Sequence, residues 1–254
     1  ARQVRALEPR SEVLFLTSSE AEDVIYREGF AAVKVPSKTI RAETRLRSGT
    51  YSRLVEVVTW NTVAGFNPHV MVVDTFPAGS IHELLPILRW DMRKLFIFRA
   101  QRQEHASGAL LQNALHLYDR VIIPHAEGEE EIPVPEEIEV TWAGPILIRG
   151  REEALGRVEA RQALGLPAEG RLVYATFGGG GDEEIAASVQ ATAEACGRLA
   201  RAGLGIHLVV ACGPLFRGAV GEVGCPITWL EGRYPMASYL RAFDAAVAAT
   251  GYNT

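Results

Sequence analysis

The chain has 254 residues, of which 48% are hydrophobic and 22% are charged, and its net charge is −5. This composition excludes a disordered or fibrous protein, because it supplies enough apolar side chains for packed cores. The acidic balance and the lack of a basic block argue against a dedicated nucleic-acid-binding protein.

The apolar segments and the cysteines exclude further classes. The longest apolar stretches, such as residues 206–212, fall far short of the roughly 20 residues that a membrane-spanning helix needs. Cys196, Cys212 and Cys225 are odd in number and form no CxxC spacing, which argues against a disulfide framework or a zinc site. We therefore expect a protein of the reducing cytoplasm.

Short apolar runs alternate with helical patterns through the first half of the chain. Apolar runs typical of buried strands occupy residues 12–17, 31–35, 69–73, 95–98 and 120–123, and helical patterns occupy residues 1–8, 19–28, 50–66, 81–89 and 107–117. Such alternation requires crossover connections, and these produce a parallel sheet covered by helices on both faces. The first half is therefore predicted to be a doubly wound α/β domain.

A second alternation follows a stretch rich in glutamate and proline at residues 127–139, which we interpret as a solvated loop ahead of a linker. Strands are predicted at residues 172–176, 205–212, 226–229 and 244–248, and helices at residues 157–164, 182–202 and 236–242. We therefore predict two α/β domains, residues 1–145 and residues 146–254, which meet between about Gly144 and Arg157.

Four consecutive glycines form the sharpest motif, and they lie between a predicted strand and a predicted helix. They are Gly178, Gly179, Gly180 and Gly181. Glycines allow backbone N–H groups to approach an anion closely, and the helix N-terminus adds a partial positive charge. The motif is typical of a phosphate or pyrophosphate site, although it lacks the Gly-Lys-Ser/Thr of a Walker loop. A loop without a ligand is the alternative.

A second loop of this kind follows the strand at residues 244–248. Its residues are Thr250, Gly251, Tyr252, Asn253 and Thr254, and the last two are natural helix caps. Open α/β sheets bind ligands in the crevice at the carboxyl ends of their strands. We therefore predict that the strand ends at Thr176 and Ala249 lie side by side, so that both loops face one ligand. An ordinary turn is the alternative.

Polar residues also follow three strands of the first domain, where they would share one rim of the sheet. Glu104 and His105 are weak candidates for acid–base work, with helix capping or simple solvation as the alternative. The rim residues are Asp74, Thr75 and Phe76 after the third strand, Arg99, Gln101, Glu104 and His105 after the fourth, and His125 after the fifth.

Residues 234–254 (YPMASYLRAFDAAVAATGYNT), together with the four-glycine loop, resemble the donor half of GT-B glycosyltransferases. The resemblance is closest to the MurG-like group, which is related to the UDP-N-acetylglucosamine transferase of peptidoglycan synthesis. Three segments match that pattern in turn, namely residues 234–237, residues 243–247 and residues 251–254. In the first half, VVDTFPAGSIHELLPIL is similar to the acceptor-side loop of predicted transferases in this group.

The resemblance implies two Rossmann-like domains, with the nucleotide sugar bound mostly by the second and the acceptor by the first. It places the donor diphosphate at Gly178, Gly179, Gly180, Gly181, Gly251, Tyr252, Asn253 and Thr254. It places the nucleotide base near Tyr234, Met236 and Ala237. It places the acceptor beside Asp74, Thr75, Phe76, Arg99 and Gln101.

The implied activity is that of a hexosyltransferase, which moves a sugar from a nucleoside diphosphate, UDP by analogy, to an unidentified acceptor without a metal or cofactor. The family's base histidine would precede Ala1 and its ribose-binding acid would follow Thr254. We therefore expect the chain to be the interior of a longer enzyme, with both domains incomplete and apolar sheet edges exposed.

Two alternatives to a transferase stay open. One is a nucleotide-sugar epimerase or hydrolase of the same fold, and the other is a non-catalytic protein that binds sugar nucleotides. In each case the expected ligand is a nucleotide sugar. No nucleic-acid partner is expected, and a peripheral membrane contact stays open.

Overall fold

The computed structural model describes residues 1–99, 108–129, 133–178, 183–213, 215–216, 218–232 and 235–249. The chain forms two compact units, Ala1–Ile146 and Leu147–Thr254. Every strand pair in both units is parallel, which confirms the predicted α/β class with Rossmann-like parallel sheets. None of the helices within these ranges is both long and apolar enough to cross a membrane.

Within its described residues, the first unit contains two parallel sheets rather than the single sheet that we expected. One sheet has two strands, β1 and β2, and the other has four in the order β3-β4-β5-β6. Periodicity identifies a strand but not its partners, so the sequence pattern does not distinguish these arrangements. The elements are α1 Arg2–Leu7, β1 Leu14–Thr17, α2 Asp23–Arg27, β2 Ala31–Lys34, α3 Lys38–Glu43, α4 Ser48–Phe66, β3 Val70–Asp74, β4 Arg93–Ile97, α5 Ala109–Leu115, β5 Arg120–Ile123 and β6 Val140–Trp142.

The four-stranded sheet of the first unit has an aromatic core. Phe96 is fully buried, and its ring centroid lies 5.5 Å from that of Phe98 and 5.4 Å from that of Tyr118. Val121 and Ile123 pack into the same cluster from β5. This core holds the central strands in place, so the loops at their carboxyl ends are carried by a rigid frame.

The predicted helix at residues 81–89 is wrong. Only a 3₁₀ turn, Ile87–Arg89, forms there. The Glu83 carboxylate accepts hydrogen bonds from the backbone N–H groups of Ser80 and Ile81, and His82 has a left-handed φ of 70°. A side chain that bonds to nearby backbone groups competes with the helical hydrogen bonds, and here that local bonding replaces the helix.

The second unit contains one four-stranded parallel sheet, in the order β10-β7-β8-β9. Helix α6 and the 3₁₀ helix lie in the core on one face of this sheet, and α7 lies on the other. The elements are α6 Arg157–Leu164, β7 Arg171–Thr176, α7 Glu183–Leu199, β8 Ile206–Cys212, β9 Ile227–Glu231, the 3₁₀ helix Met236–Ala242 and β10 Ala245–Ala248.

Two edge strands leave apolar side chains exposed. On β3 these are Val70 and Val72, and on β10 the exposed side chain is Val247. In the part of the chain that the structure describes, each strand pairs along one side only in its sheet, β3 with β4 and β10 with β7. These edges contrast with the central strand β8, where Leu208, Val209 and Val210 are fully buried.

Candidate functional site

The order of the second sheet reverses at β7. From β7 the chain proceeds to β8 and then β9 on one side, and it returns to place β10 on the other side of β7. Two neighbouring parallel strands whose connections leave in opposite directions open a crevice at their carboxyl ends, and ligands of open α/β sheets bind in such crevices. The boundary between β7 and β10 is therefore the strongest candidate site in this unit.

The ends of these two strands are aligned. Ala248 lies opposite Thr176, and the Ala249 N–H donates to the Thr176 carbonyl at 3.1 Å. The prediction that the two strand ends lie side by side is therefore confirmed. The residues that follow both strands must leave the sheet at the same edge, because the strands are parallel and end in register.

The loop after β7 begins with a glycine in a conformation that side chains rarely adopt. Gly178 has a φ of +85°, and a Cβ atom placed there would meet none of the described residues beyond its chain neighbours within 4 Å. The 17-residue helix α7 begins at Glu183. A positive φ just after a buried strand, and a long helix starting five residues later, are the framework of an anion-binding loop.

The start of α7 also carries negative charge. Glu184 lies in its first turn, where a carboxylate stabilises a helix through its dipole. The same charge reduces the positive potential that the helix end offers to an anion.

Most of the sequence-predicted site residues lie outside the described residues. These are Gly179, Gly180, Gly181, Gly251, Tyr252, Asn253, Thr254, Tyr234, Gln101, Glu104 and His105. Their assignments remain predictions.

Met236 and Ala237, the predicted contacts of the nucleotide base, begin the 3₁₀ helix that follows β9. Met236 is half-buried and packs against a cluster that contains Leu172, Tyr174 and Leu230. Its side chain therefore has a packing role. A contact to a nucleotide base through the backbone of this segment remains a prediction.

An ion pair between the buried Arg161 and the partly exposed Asp244 lies at the opposite, amino ends of β7 and β10, and the sequence interpretation missed it. Asp244 accepts hydrogen bonds from the Leu172 N–H at 2.8 Å, from Arg157 Nη2 at 2.7 Å and from Arg161 Nη2 at 3.1 Å. The Leu172 N–H and the Arg157 guanidinium hold the pKa of Asp244 below its ordinary value of 3.8. Asp244 belongs to one of the segments that resembles the GT-B pattern, and its role here is structural.

Arg161 is the other half of this pair, and its side chain is only 2% exposed. Its guanidinium also donates to four backbone carbonyls, those of Ala242 at 2.9 Å, Pro167 at 3.4 Å, Ala168 at 2.8 Å and Gly170 at 3.1 Å. A buried guanidinium is tolerated only when its donors are bonded and its charge is paired. The pair therefore joins α6 to the starts of β7 and β10.

In the first unit, the structure brings Asp74, Thr75 and Arg99 together at the carboxyl ends of β3 and β4. Arg99 Nε lies 3.0 Å from Asp74 Oδ1, and Arg99 Nη2 donates to the Thr75 hydroxyl. That hydroxyl donates to Asp74 Oδ1 at 3.2 Å. Three of the predicted acceptor-side residues are thus one hydrogen-bonded group.

The backbone beside this group is strained. Thr75 has a φ of 73°, which is uncommon for any residue with a side chain and a true outlier for a β-branched one. Such strain concentrates at functional sites and persists only where the surrounding bonds hold it. Phe76, the next residue, is 56% exposed. Among the residues that the structure describes, no three His, Cys, Asp or Glu side chains are placed to hold a metal ion.

No protein-family model matches the chain, and no curated protein matches its sequence. Solved structures do match it. The spinosyn rhamnosyltransferase SpnG complexed with thymidine diphosphate is 14% identical with a TM-score of 0.53, over 98% of this chain and 70% of that chain. The glycosyltransferase SnogD from Streptomyces nogalater is 15% identical with a TM-score of 0.52, over 100% of this chain and 72% of that chain.

A putative UDP-N-acetylglucosamine 2-epimerase from Listeria monocytogenes is similar to the same degree. It is 14% identical with a TM-score of 0.55, over 98% of this chain and 69% of that chain. At these identities the similarity establishes the fold alone. The chain therefore has the GT-B type of fold, with Rossmann-like α/β units, that the resemblance implied.

Proposed function

We propose that the chain belongs to a glycosyltransferase, which moves a hexose from a nucleoside diphosphate to the hydroxyl group of an acceptor. The single observation that carries the proposal is the alignment of β7 and β10 at the point where the sheet order reverses. The glycine-rich loop and residues 250–254 follow these two strands directly. Both segments then contribute backbone N–H groups to one diphosphate.

In this proposal the second unit binds the donor and the first unit binds the acceptor. The acceptor oxygen forms a bond to the anomeric carbon, the bond from that carbon to the diphosphate breaks, and the hydroxyl proton passes to a general base. The N–H groups near Gly178 stabilise the negative charge that develops on the departing diphosphate. Because they supply this stabilisation directly, transfer needs no metal or cofactor, and EDTA should leave the rate unchanged.

UDP is the proposed nucleotide, on the sequence resemblance to the MurG-like group. The solved structures of similar fold include one complexed with thymidine diphosphate and one described as a putative UDP-N-acetylglucosamine 2-epimerase. Calorimetry with UDP and with thymidine diphosphate in parallel compares the two bases. Tighter binding of UDP supports the proposal, whereas tighter binding of thymidine diphosphate shows that the donor carries thymidine rather than uridine.

A matched pair of glycine variants tests the site. Gly178 and Gly170 flank β7 at its two ends, both have a left-handed φ (+85° and +93°), and both have open space around a new Cβ atom. Gly178→Asp places a carboxylate beside the proposed phosphates, so it should weaken UDP binding at least tenfold, which corresponds to about 1.4 kcal/mol. Gly170→Asp introduces the same backbone strain and charge at the far end and should leave UDP affinity unchanged.

The measurement is the dissociation constant of UDP by calorimetry, with folding checked by circular dichroism. Equal UDP affinity in folded Gly178→Asp and in the parent would remove the loop after β7 from the site. Equal losses in both variants would show that the effect comes from strain rather than from the site.

An epimerase or hydrolase is the second candidate, because a putative UDP-N-acetylglucosamine 2-epimerase shares the fold. The fold does not distinguish these reactions, since all three cleave or form a bond at a sugar linked to a diphosphate. Incubation with radiolabelled UDP-N-acetylglucosamine and chromatography of the products separates them. A labelled acceptor indicates transfer, free sugar indicates hydrolysis, and an altered sugar indicates epimerisation.

A further inference from the structure

We propose that Phe76 is a rigid platform on which an uncharged, ring-bearing acceptor packs, and that the carboxylate of Asp74 beside it disfavours phosphorylated acceptors. This inference rests on the proposed function, because it names the acceptor class for the first unit. It is carried by three features of the loop after β3, which are the exposure of the ring, the rigidity of its flanks and the charge of its neighbours.

The aromatic ring of Phe76 is exposed although the residues beside it are not. Phe76 is 56% exposed, whereas Pro77 and Ala78 are buried. A single exposed aromatic residue is ordinary on a protein surface. Here, however, the exposed ring directly follows the strained Thr75 at the carboxyl end of the sheet, so the fold directs a large apolar side chain outward at a cost.

Both flanks of Phe76 are fixed by bonds from other elements. On one side, the Thr75 N–H donates to the Ile97 carbonyl at 3.3 Å, and Arg99 bonds to the Thr75 hydroxyl. On the other, the buried Tyr118 hydroxyl donates to the Pro77 carbonyl. The backbone that carries the ring is therefore held in advance, so no backbone freedom is lost when a ligand packs on the ring.

The far side of the loop is braced as well. The Glu83 carboxylate bonds to the N–H groups of Ser80 and Ile81 at 3.2 and 2.9 Å, and the Trp60 indole N–H donates to the Glu83 carbonyl at 2.7 Å. A Cβ atom on Gly79, whose φ is +86°, would lie 2.4 Å from the Glu83 carboxylate, so a side chain there would be strained and would displace that carboxylate. These contacts hold the left-handed residues 75, 79 and 82 in one conformation.

The accessible charge next to Phe76 is negative. Asp74 exposes 54% of its side chain, whereas Arg99, its cationic partner, exposes 22%. Arg99 also directs Nε and Nη2 toward Asp74 and Thr75. An approaching ligand therefore meets a carboxylate that accepts hydrogen bonds from hydroxyl groups and repels phosphate.

A pair of fluorescent probes with one ring system tests both parts of the proposal. 4-Methylumbelliferone carries a hydroxyl group, and 4-methylumbelliferyl phosphate carries a phosphate in its place. At mildly acidic pH, where the hydroxyl stays protonated, the parent protein should bind the hydroxyl probe more tightly than the phosphate probe. Asp74→Asn should narrow that difference by improving the affinity for the phosphate probe.

Variants at Phe76 test the platform itself. Phe76→Ala should weaken binding of 4-methylumbelliferone roughly three- to tenfold, and Phe76→Trp should retain it, because stacking needs an aromatic face. Tyr26→Ala is the matched control, since Tyr26 is an aromatic residue of the same unit with 53% exposure, and it should bind the probe like the parent. UDP affinity should be unchanged in all three.

Unchanged binding in Phe76→Ala, or tighter binding of the phosphate probe by the parent, overturns the inference. If UDP binds and 4-methylumbelliferone does not, the platform is wrong while the transferase proposal stands. If the probe binds through Phe76 but neither UDP nor thymidine diphosphate binds, the transferase proposal fails, and the assignment of Phe76 to an acceptor fails with it.

Discussion

Asp244 shows how one carboxylate can hold two strand starts and a helix together. Its oxygens accept from the Leu172 N–H and from two arginines, and the Asp244 N–H donates back to the Leu172 carbonyl at 2.8 Å. The carboxylate is thus bound by the backbone of β7 and by α6. Removing it would leave a buried guanidinium, that of Arg161, without its counter-charge.

Asp244→Ala should lower the free energy of unfolding by about 2–4 kcal/mol, because a buried donor and a buried charge both lose their partner. The measurement is urea unfolding at neutral pH. Asp23→Ala is the control, because Asp23 forms an exposed pair with Arg27 within α2, and it should cost less than about 1 kcal/mol. Similar losses in the two variants would contradict a structural role for Asp244.

The effect of Asp244 should depend on pH in a defined direction. Its pKa in the folded protein is lower than the ordinary value of 3.8. Its contribution is therefore complete above that ordinary value and is lost as the pH falls through the lower, folded pKa. The difference in unfolding free energy between the parent and Asp244→Ala should shrink when urea unfolding is repeated at acid pH. A constant difference would contradict this prediction.

At the scale of elements, α7 owes its position to close packing against the segment before β9. A Cβ atom on Gly197 would lie 1.7 Å from the Val223 carbonyl oxygen, which is a backbone atom and cannot rotate away. Val189, Ala193 and Cys196 bury the same helix against the sheet. The helix that starts at the candidate site is thus fixed at its far end by a glycine contact.

Gly197→Ala should therefore lower the free energy of unfolding by about 1–3 kcal/mol, because the new methyl group must displace α7 or the chain at Val223. Gly65→Ala is the matched control. Gly65 lies in α4 with no atom within 4 Å of its Cβ position, so alanine there should raise the same free energy by about 0.5–1 kcal/mol. Chemical denaturation of both variants measures the two changes in unfolding free energy. A stabilised Gly197→Ala variant would contradict close packing of Gly197 against Val223.

The local sequence predicted the positions of the strands better than those of the helices. The strands β1 to β5 and β7 to β10 lie where apolar runs predicted them, because burial of strand side chains leaves a local pattern. Helix α3 was not predicted, although Ser37 caps it by accepting from the Ile40 N–H at 3.0 Å. That signal was readable as an N-cap. The apolar spacing of residues 81–89 predicted a helix, and this prediction was wrong because the Glu83 carboxylate bonds to the backbone of the loop instead.

At the scale of the whole molecule, the proposal that the second unit binds the donor and the first unit binds the acceptor predicts where UDP slows backbone hydrogen exchange. Hydrogen exchange with and without UDP should show slower exchange after β7, at residues 177–184, and after β10, from residue 249 onward. Exchange in β3, β4 and β5 of the first unit should be unchanged. The Gly178→Asp variant should lose the protection. UDP protection confined to the first unit would reverse the assignment of donor and acceptor.

Local sequence pattern was enough to determine the α/β class, most strand positions and the glycine-rich loop after β7. These properties depend on neighbours within a few residues, because side-chain burial and glycine conformation act locally. The pattern did not determine that β1 and β2 form their own sheet, or that Thr75 is left-handed. It also gave no sign of the bond between Asp244 and Leu172, which are 72 residues apart in the chain. Such pairings arise only when distant segments pack together, so the tertiary structure alone decided them.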